Sequence, residues 1–311
     1  LNTVVTGTQN TAVGTCALHN TTVNCGTAVG YQSLKGNTTG DKNTAVGRNS
    51  ANNNTTGSDN TVVGFCSLGT NTTGACNTAF GNYSLYSNTT ANDNSAFGYN
   101  TLGLNTTGTN NVAMGRNALL NNTTASNNTA VGKDALTANT TASENTAIGF
   151  QSLCKNTTGC LNTALGFKTM CLNTTGCENV AIGQNALRAN TTGDFNIGIG
   201  RDALISNTTA DNNTAVGTCA LTATTTGAQN VAVGSGALDS NTTGCRNIGI
   251  GYNSLAVNTT GCCNVSVGRA SLDANIDGDF NTAVGTNSLS GNTTADGNTA
   301  IGYLAMNSTT T

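Results

Sequence analysis

The sequence predicts an all-β protein: a parallel β-solenoid (β-roll) of about 18 stacked 17-residue coils. Gly recurs 18 times between Gly14 and Gly302, once after 16 residues and then every 17. The residue before each of these Gly is always apolar, and the chain has 39 Gly and no Pro. A repeat that is rich in β-branched residues and interrupted at two places by Gly or similar helix-breaking residues does not favour a helix. Repeats built of paired helices need roughly 33 residues each.

The repeat is numbered here with its Gly as position 0. Asn stands at −4 in 17 of 18 copies, Ala at −2 in 14, and Leu at +4 in 15. Because strand side chains alternate, positions −3 and −1 share one face; both are mostly branched or large, so we predict that they face inward and that −2 faces outward. Leu at +4 adds a core residue. The Gly and a later Asn-Thr-Thr each predict a corner.

Stacking also predicts the extent of the domain. Identical positions would lie ~4.8 Å apart, and 18 coils would give a rod of about 85 Å. We expect residues 1–311 to form a single β-solenoid domain. Leu1 falls at +4 and Thr311 at +9, so both ends lie within a coil and neither has a distinct cap. Since solenoids normally carry caps, we expect a part of a longer protein or of a filament.

Composition argues against an enzyme. Charged residues make up only 8% of the chain, the formal net charge is −3, and His19 is the one histidine. This leaves little for acid–base chemistry, predicts no catalytic residue and no cofactor, and disfavours nucleic acid as a partner. C-x-x-C spacing does not occur, so no metal site is expected, and no apolar run predicts a membrane span. A catalytic solenoid of the pectin-lyase kind would need Asp, Arg or Lys clustered in one groove, and the regular columns show no such cluster.

Position +1, which we call the corner strip, is the candidate binding or interface column. It is aromatic or cationic in 12 of 18 copies. Three interpretations stay open. The column could pack between subunits, it could solvate the edge of the coil with long side chains whose stems are apolar and whose tips are polar, or it could bind sugars or acidic ligands. The residues are Tyr31, Arg48, Phe65, Tyr99, Arg116, Lys133, Phe150, Phe167, Arg201, Tyr252, Arg269 and Tyr303.

Asn-Thr-Thr occurs 15 times and is also an N-glycosylation sequon. Asn side chains stacked at ~4.8 Å are too close for a branched glycan on each. We therefore favour an Asn ladder that bonds coil to coil, with sparse glycans as the alternative. The acidic residues near −5 and −6 could form a calcium corner, but one carboxylate per coil better fits a solvated turn.

Three cysteine pairs share a column one repeat apart. Such stacking gives Cα separations of about 4.4–6.8 Å, as a disulfide requires. We predict that one or more pairs can cross-link adjacent coils, which implies an oxidising, extracellular setting; a ladder of reduced thiols is the alternative. The pairs are Cys154 with Cys171, Cys160 with Cys177, and Cys245 with Cys262.

The motif N-[TV]-A-[VI]-G-x-x-[AS] resembles the head repeats of YadA-like trimeric autotransporter adhesins. It is also similar to Asn/Thr/Gly-rich repeats of phage tail fibres and bacterial surface fibres. The resemblance covers essentially the whole chain, although this repeat is three residues longer at its Asn-Thr-Thr corner and the chain carries 12 Cys. It implies a stiff rod on a cell surface or virion that binds host surface or matrix.

We therefore expect a non-enzymatic, extracellular structural and adhesive fibre subunit. Its partners would be other copies of itself, as a homo-oligomer or an end-to-end filament, and cell-surface glycans or matrix. The alternative is an ice-binding β-solenoid with a Thr array. In the Asn-Thr-Thr segment only one of two adjacent Thr can face outward, and position −3 cannot supply a second outward rank if it is core.

Overall fold

The computed structural model describes residues 7–308, and the chain forms two compact units, Leu1–Thr158 and Gly159–Thr311. The predictions made from Leu1 and Thr311 lie outside the described residues. Within residues 7–308 all regular secondary structure is β-strand, and each unit contributes nine strands of three residues. The predicted all-β parallel β-solenoid is confirmed.

The strands follow each other once per repeat. The first unit contains β1 (Thr11–Val13), β2 (Thr27–Val29), β3 (Thr44–Val46), β4 (Thr61–Val63), β5 (Thr78–Phe80), β6 (Ser95–Phe97), β7 (Val112–Met114), β8 (Thr129–Val131) and β9 (Thr146–Ile148). The second contains β10 (Thr163–Leu165), β11 (Val180–Ile182), β12 (Ile197–Ile199), β13 (Thr214–Val216), β14 (Val231–Val233), β15 (Ile248–Ile250), β16 (Val265–Val267), β17 (Thr282–Val284) and β18 (Thr299–Ile301).

Within each unit every strand pairs in parallel with the next one along the chain. Strands β8 and β9 pair Thr129 with Thr146 and Val131 with Ile148, so the register is one repeat. The same register runs through the second unit, for example between β13 and β14. Consecutive coils therefore place equivalent positions side by side, as the periodicity predicts.

Tight corners close each short coil. The repeat Gly has φ between +123° and +143°, a region that residues with a side chain rarely adopt. Positions +2, +4 and +12 adopt left-handed conformations with non-Gly residues in nearly every coil, including Leu119 (φ 52°) and Asn127 (φ 61°). Several reversals of direction thus fit within 17 residues and return the chain to the same strand position one layer further on.

The strands face the opposite way to our prediction. In β8, Ala130 at −2 is fully buried, whereas Thr129 and Val131 on either side are only half-buried. The narrow interior explains this: a Cβ built on Gly198 at −2 would already lie 3.3 Å from Cγ of Leu187 at +4. The inner position is therefore kept small, and the branched residues at −3 and −1 point outward.

The core combines this small column with the Leu column. Leu119 and Leu136 are fully buried, as are the corresponding residues of most coils, so the prediction for +4 is confirmed. Burying a Leu side chain contributes about 1.5–3 kcal/mol. Repetition of one such side chain per coil gives each unit a continuous apolar interior.

Two Asn ladders complete the interior. At +7, Nδ2 of Asn122 donates to Oδ1 of Asn105 at 2.8 Å and to the carbonyl of Ala125 at 2.9 Å. At −4, the backbone N–H of Asn128 donates to Oδ1 of Asn111 at 3.0 Å, and its Nδ2 donates to the carbonyl of Ala142 at 3.0 Å. These buried amides satisfy corner carbonyls and link neighbouring coils, which confirms the predicted ladder.

Candidate functional site

The outward sides of positions −3 and −1 form an uncharged surface, which we call the strand face: an apolar row at −1 lies beside a row at −3 that is mostly Thr. Position −1 is Val, Ile, Leu, Met or Phe in every strand, and neither column contains a charged residue. Met114 is 48% exposed, Leu165 42% and Ile250 39%. Soluble proteins seldom leave so regular a row of large apolar side chains open, and such surfaces typically mark interaction sites.

Side chains on the strand face pack along the stack. The rings of Phe80 and Phe97, at −1 of consecutive coils, stack with their centroids 5.7 Å apart and their planes 15° apart. Phe80 remains 39% exposed, and Phe97 is half-buried. The surface is thus ordered along its length by contacts between coils.

The corner strip of the first unit is a ladder of cations and rings. The Arg48 guanidinium lies 5.9 Å from the ring centroid of Tyr31 and 5.6 Å from that of Phe65. Arg116 lies 5.9 Å from the centroid of Tyr99. Each such contact between exposed groups contributes about 0.5–1 kcal/mol.

Two tyrosines outside position +1 extend this ladder. Tyr83, at +2, makes edge-to-face contacts with Phe65 at 5.3 Å and with Tyr99 at 6.3 Å, and Tyr86 contacts Tyr83 at 5.8 Å. Sequence reasoning missed both because they do not share the column. The concentration of aromatic residues between Phe65 and Tyr99 could have drawn attention to them.

The other members of the strip include further pairs of a cation with a ring or a carboxylate. Lys133 Nζ lies 5.6 Å from the ring centroid of Phe150. In the second unit, Lys168 contacts the ring of Phe167, and Nε of Arg201 lies 3.7 Å from a carboxylate oxygen of Asp202. The highly exposed members are Tyr252 (54%) and Tyr303 (74%). Arg269 is also exposed.

These contacts bear on how the strip can be interpreted. In the first unit, cations already approach the rings of Tyr31, Phe65 and Tyr99, so the aromatic side chains have partners within the chain. A sugar stacking on those faces would have to displace a guanidinium. The geometry therefore favours packing between coils for this part of the strip, a possibility that the three interpretations did not include.

The Asn of most Asn-Thr-Thr segments is buried. Asn105, Asn122 and Asn139 are fully buried, and their Nδ2 atoms donate to neighbouring coils. The next Thr donates its hydroxyl to the following coil, as Thr123 does to the carbonyl of Thr140 at 3.1 Å. The second Thr, such as Thr124, is exposed. These Asn are structural, and a glycan on them would have to displace an interior hydrogen bond.

The structure brings two of the three predicted cysteine pairs into direct contact. Sγ of Cys160 lies 3.2 Å from Sγ of Cys177, and Sγ of Cys245 lies 2.9 Å from Sγ of Cys262. All four cysteines are half-buried. Cys154 belongs to the first unit and Cys171 to the second, and their cross-link stays a prediction.

Acidic residues at +11 contribute a structural contact. Oδ1 of Asp211 accepts the backbone N–H of Asp194 at 2.8 Å, and Oδ1 of Asp296 accepts that of Asp279 at 2.7 Å. A side-chain acceptor thus satisfies a turn N–H of the preceding coil. Across residues 7–308 no group of three or more His, Cys, Asp or Glu side chains is arranged to hold a metal ion. In the same range, no helix is long and apolar enough to span a membrane.

Comparison with known proteins identifies no relative. No family model matches the chain, and no curated protein matches it. What is established is the class: a parallel β-solenoid of 17-residue repeats with stacked Asn ladders.

Proposed function

We propose that this chain is a non-enzymatic structural fibre subunit that associates with further copies of itself through the strand face. The observation that carries the proposal is the uncharged, outward row of apolar side chains at −1 in each unit. Burial of such side chains against a partner is favourable by about 25 cal/mol per Å². The scarcity of charge elsewhere on the chain also suits a subunit with few free surfaces.

A second copy is the occupant that best fits this surface. The outward side chains repeat at the strand spacing of ~4.8 Å, and another copy presents the same row at the same spacing. The −1 row offers no hydrogen-bonding side chain in any coil, and the only polar side chains on the strand face are the Thr and Ser hydroxyls at −3. Symmetric, self-complementary contacts of this kind are the usual basis of homo-oligomers.

Rigidity supports the structural part of the proposal. Within each unit, most coils are joined to the next by strand hydrogen bonds, by both Asn ladders and by hydroxyls such as that of Thr123. These bonds lie along the stacking direction and repeat in most layers, with breaks in the ladders at Gly26 and Thr224. A unit of this kind resists bending because bending must stretch several hydrogen bonds in each layer.

We place the fibre outside the cell, on a cell surface or virion, as the resemblance to surface-fibre repeats implies. Adhesion to glycans or matrix would use exposed side chains such as Tyr252, Tyr303 and Arg269. All three stand at +1, so similar side chains recur along the chain. Several weak contacts on one stiff support add by multivalency. Binding of the purified chain to glycan and matrix arrays tests this, and loss of binding in Tyr252→Ala would locate it.

Met114→Lys is expected to weaken self-association by about 10-fold or more, because it places a charge in the apolar contact. Sedimentation velocity over a concentration series measures the effect. Thr124→Lys, at +9 of the same repeat, is the matched control, since Thr124 is exposed but lies away from the strand face. A wild-type chain that stays monomeric at high concentration would contradict the proposal.

Ice binding is the second candidate, and the orientation of the strands favours it. Position −3 is Thr in 11 of 18 strands and points outward, so the sheet carries a Thr rank beside an apolar rank. The premise that −3 is core, which counted against this function, does not hold.

A thermal-hysteresis assay with observation of crystal shape tests ice binding. If the strand face binds ice, Thr129→Lys should reduce hysteresis several-fold, because a long charged side chain breaks a flat surface. Thr124→Lys should leave it unchanged. Rounded crystals without measurable hysteresis in the wild-type chain would exclude this function.

A further inference from the structure

A four-residue pattern occurs twice in the +11 column of the second unit. Reading one residue per coil, two cysteines are followed by two aspartates in both places. The first set is Cys160, Cys177, Asp194 and Asp211, and the second is Cys245, Cys262, Asp279 and Asp296. A single coil, with Ala228 at +11, separates the two sets.

Both sets make the same chain of hydrogen bonds. The backbone N–H of Cys160 donates to Sγ of Cys177 at 3.0 Å, and that of Cys177 donates to Oδ1 of Asp194 at 2.7 Å. These bonds hold the Cys177 side chain beneath the Cys160 backbone and direct it along the stack. The two sulfur atoms consequently lie 3.2 Å apart.

The second set repeats this geometry closely. The backbone N–H of Cys245 donates to Sγ of Cys262 at 3.0 Å, and that of Cys262 donates to Oδ1 of Asp279 at 2.6 Å. The sulfur atoms lie 2.9 Å apart. Two independent occurrences of one arrangement indicate a property of the column.

We propose that Cys160 with Cys177, and Cys245 with Cys262, are two redox-closing staples, each forming a disulfide between consecutive coils. The oxidant is a small disulfide such as glutathione disulfide. One protein thiolate attacks the oxidant and releases a first thiol, and the partner thiolate then attacks the mixed disulfide and releases a second. In total, the cysteine pair loses two protons and two electrons, and the S–S bond of the oxidant is reduced to two thiols.

Little backbone movement is needed for closure. Equivalent positions in stacked coils lie about 4.8 Å apart, within the Cα separation that disulfides span. Each closure forms a loop of about 17 residues in the unfolded chain. By the loop-entropy relation, this lowers the equilibrium unfolded fraction by on the order of 100-fold if the native geometry is unstrained.

The surroundings favour the thiol form at neutral pH. The hydrogen bond with Cys177 and then burial raise the pKa of Cys160, and burial followed by the hydrogen bond with Cys245 raises the pKa of Cys262. Because the thiolate is the attacking form, closure is expected to be slow at neutral pH and to accelerate as pH rises through and above the usual thiol range.

Peptide mapping without reduction tests the staples. The folded chain is incubated with excess glutathione disulfide at mildly alkaline pH, the remaining thiols are alkylated, and the chain is cleaved with trypsin. We expect peptide 156–168, which contains Cys160 alone, to be linked to peptide 169–188, with fragmentation placing the bond at Cys177 rather than Cys171. We also expect Cys245 to be linked to Cys262 rather than to Cys263.

Cysteine variants provide the controls. Cys177→Ser and Cys262→Ser should each abolish one link and leave the other, while Cys76→Ser, at an exposed cysteine of the first unit, should leave both. Oxidation should raise the urea midpoint of the wild-type chain, and dithiothreitol should reverse the rise. Alkylated thiols or stable glutathione adducts at these four positions, in a chain that circular dichroism shows to be folded, would overturn the proposal.

Discussion

Gly64→Ala is expected to destabilise the first unit by more than about 3 kcal/mol. Gly64 has φ +137°, and an added Cβ would lie 2.6 Å from both the carbonyl carbon and the carbonyl oxygen of Gly81. Both contacts are to backbone, which cannot move without shifting the next corner. Urea unfolding followed by circular dichroism measures the loss, and hydrogen exchange should place it in the coils around Gly64.

Gly297→Ala is the matched control. Gly297 also has a positive φ, +68°, but among residues 7–308 no atom lies within 4 Å of an added Cβ. Its column, +12, holds Asn127 and Asp93 in the same conformation, so the expected cost is only about 1 kcal/mol. Equal effects of the two substitutions would show that close approach of the corners does not control stability.

Asn128→Asp is expected to destabilise the first unit by about 3–5 kcal/mol at neutral pH. Asn128 is fully buried, and its Nδ2 donates to the carbonyl of Ala142. A carboxylate has no donor for that carbonyl and would place a negative charge beside Oδ1 of Asn111. The free energy of unfolding, measured by urea titration, reports the loss.

The neighbouring residue gives the same chemical change without burial. Asn127→Asp adds one negative charge at an exposed corner where other coils carry Asp59 and Asp93, so its effect should stay within about 0.5 kcal/mol. The buried carboxyl of Asn128→Asp should have a raised pKa. Its penalty is therefore present above that pKa and should shrink as pH falls and the protonated acid can donate to Ala142. A penalty that grows on acidification would contradict the ladder's role.

Much of the fold could be predicted because the repeat makes each position visible many times. The period gave the register between strands, the invariant Gly gave a corner, and the repeated Leu gave the main core column. Stacking of Asn105 and Asn122 followed from the period and from the hydrogen-bonding capacity of amides. These inferences depend only on each coil having a nearly identical coil beside it, so they can be made without knowing the shape of the coil.

The direction of the strand faces could not be read from residue size alone. A three-residue strand always places −3 and −1 together, and whether they face in or out depends on the cross-section of the coil. The Leu187 side chain fills the space opposite −2 and decides the question. Asn at −4 has the same strand parity as −2, and its recurrence in 17 of 18 copies was a usable signal for the correct orientation, because a repeated Asn can form a ladder between coils.

The candidate surfaces were less predictable because they depend on contacts between columns. Tyr83 joins the corner strip from +2, and Arg48 reaches the rings of both neighbouring coils. The contact within two cysteine pairs was anticipated from the period. The hydrogen bonds that Asp194 and Asp279 accept from the cysteine backbone could not be predicted, because a column gives spacing but not the direction of a side chain.

The one-repeat register also has a genetic consequence. Contacts between coils join positions one repeat apart, so deleting residues 116–132 would connect Gly115 to Lys133 and continue every column. Recombination between repeats in the gene can therefore lengthen or shorten the protein by whole coils while preserving its internal contacts. The first coil, with 16 residues from Gly14 to Gly30, still pairs Thr11 with Thr27. Loss of a single codon at a corner is thus compatible with the same register.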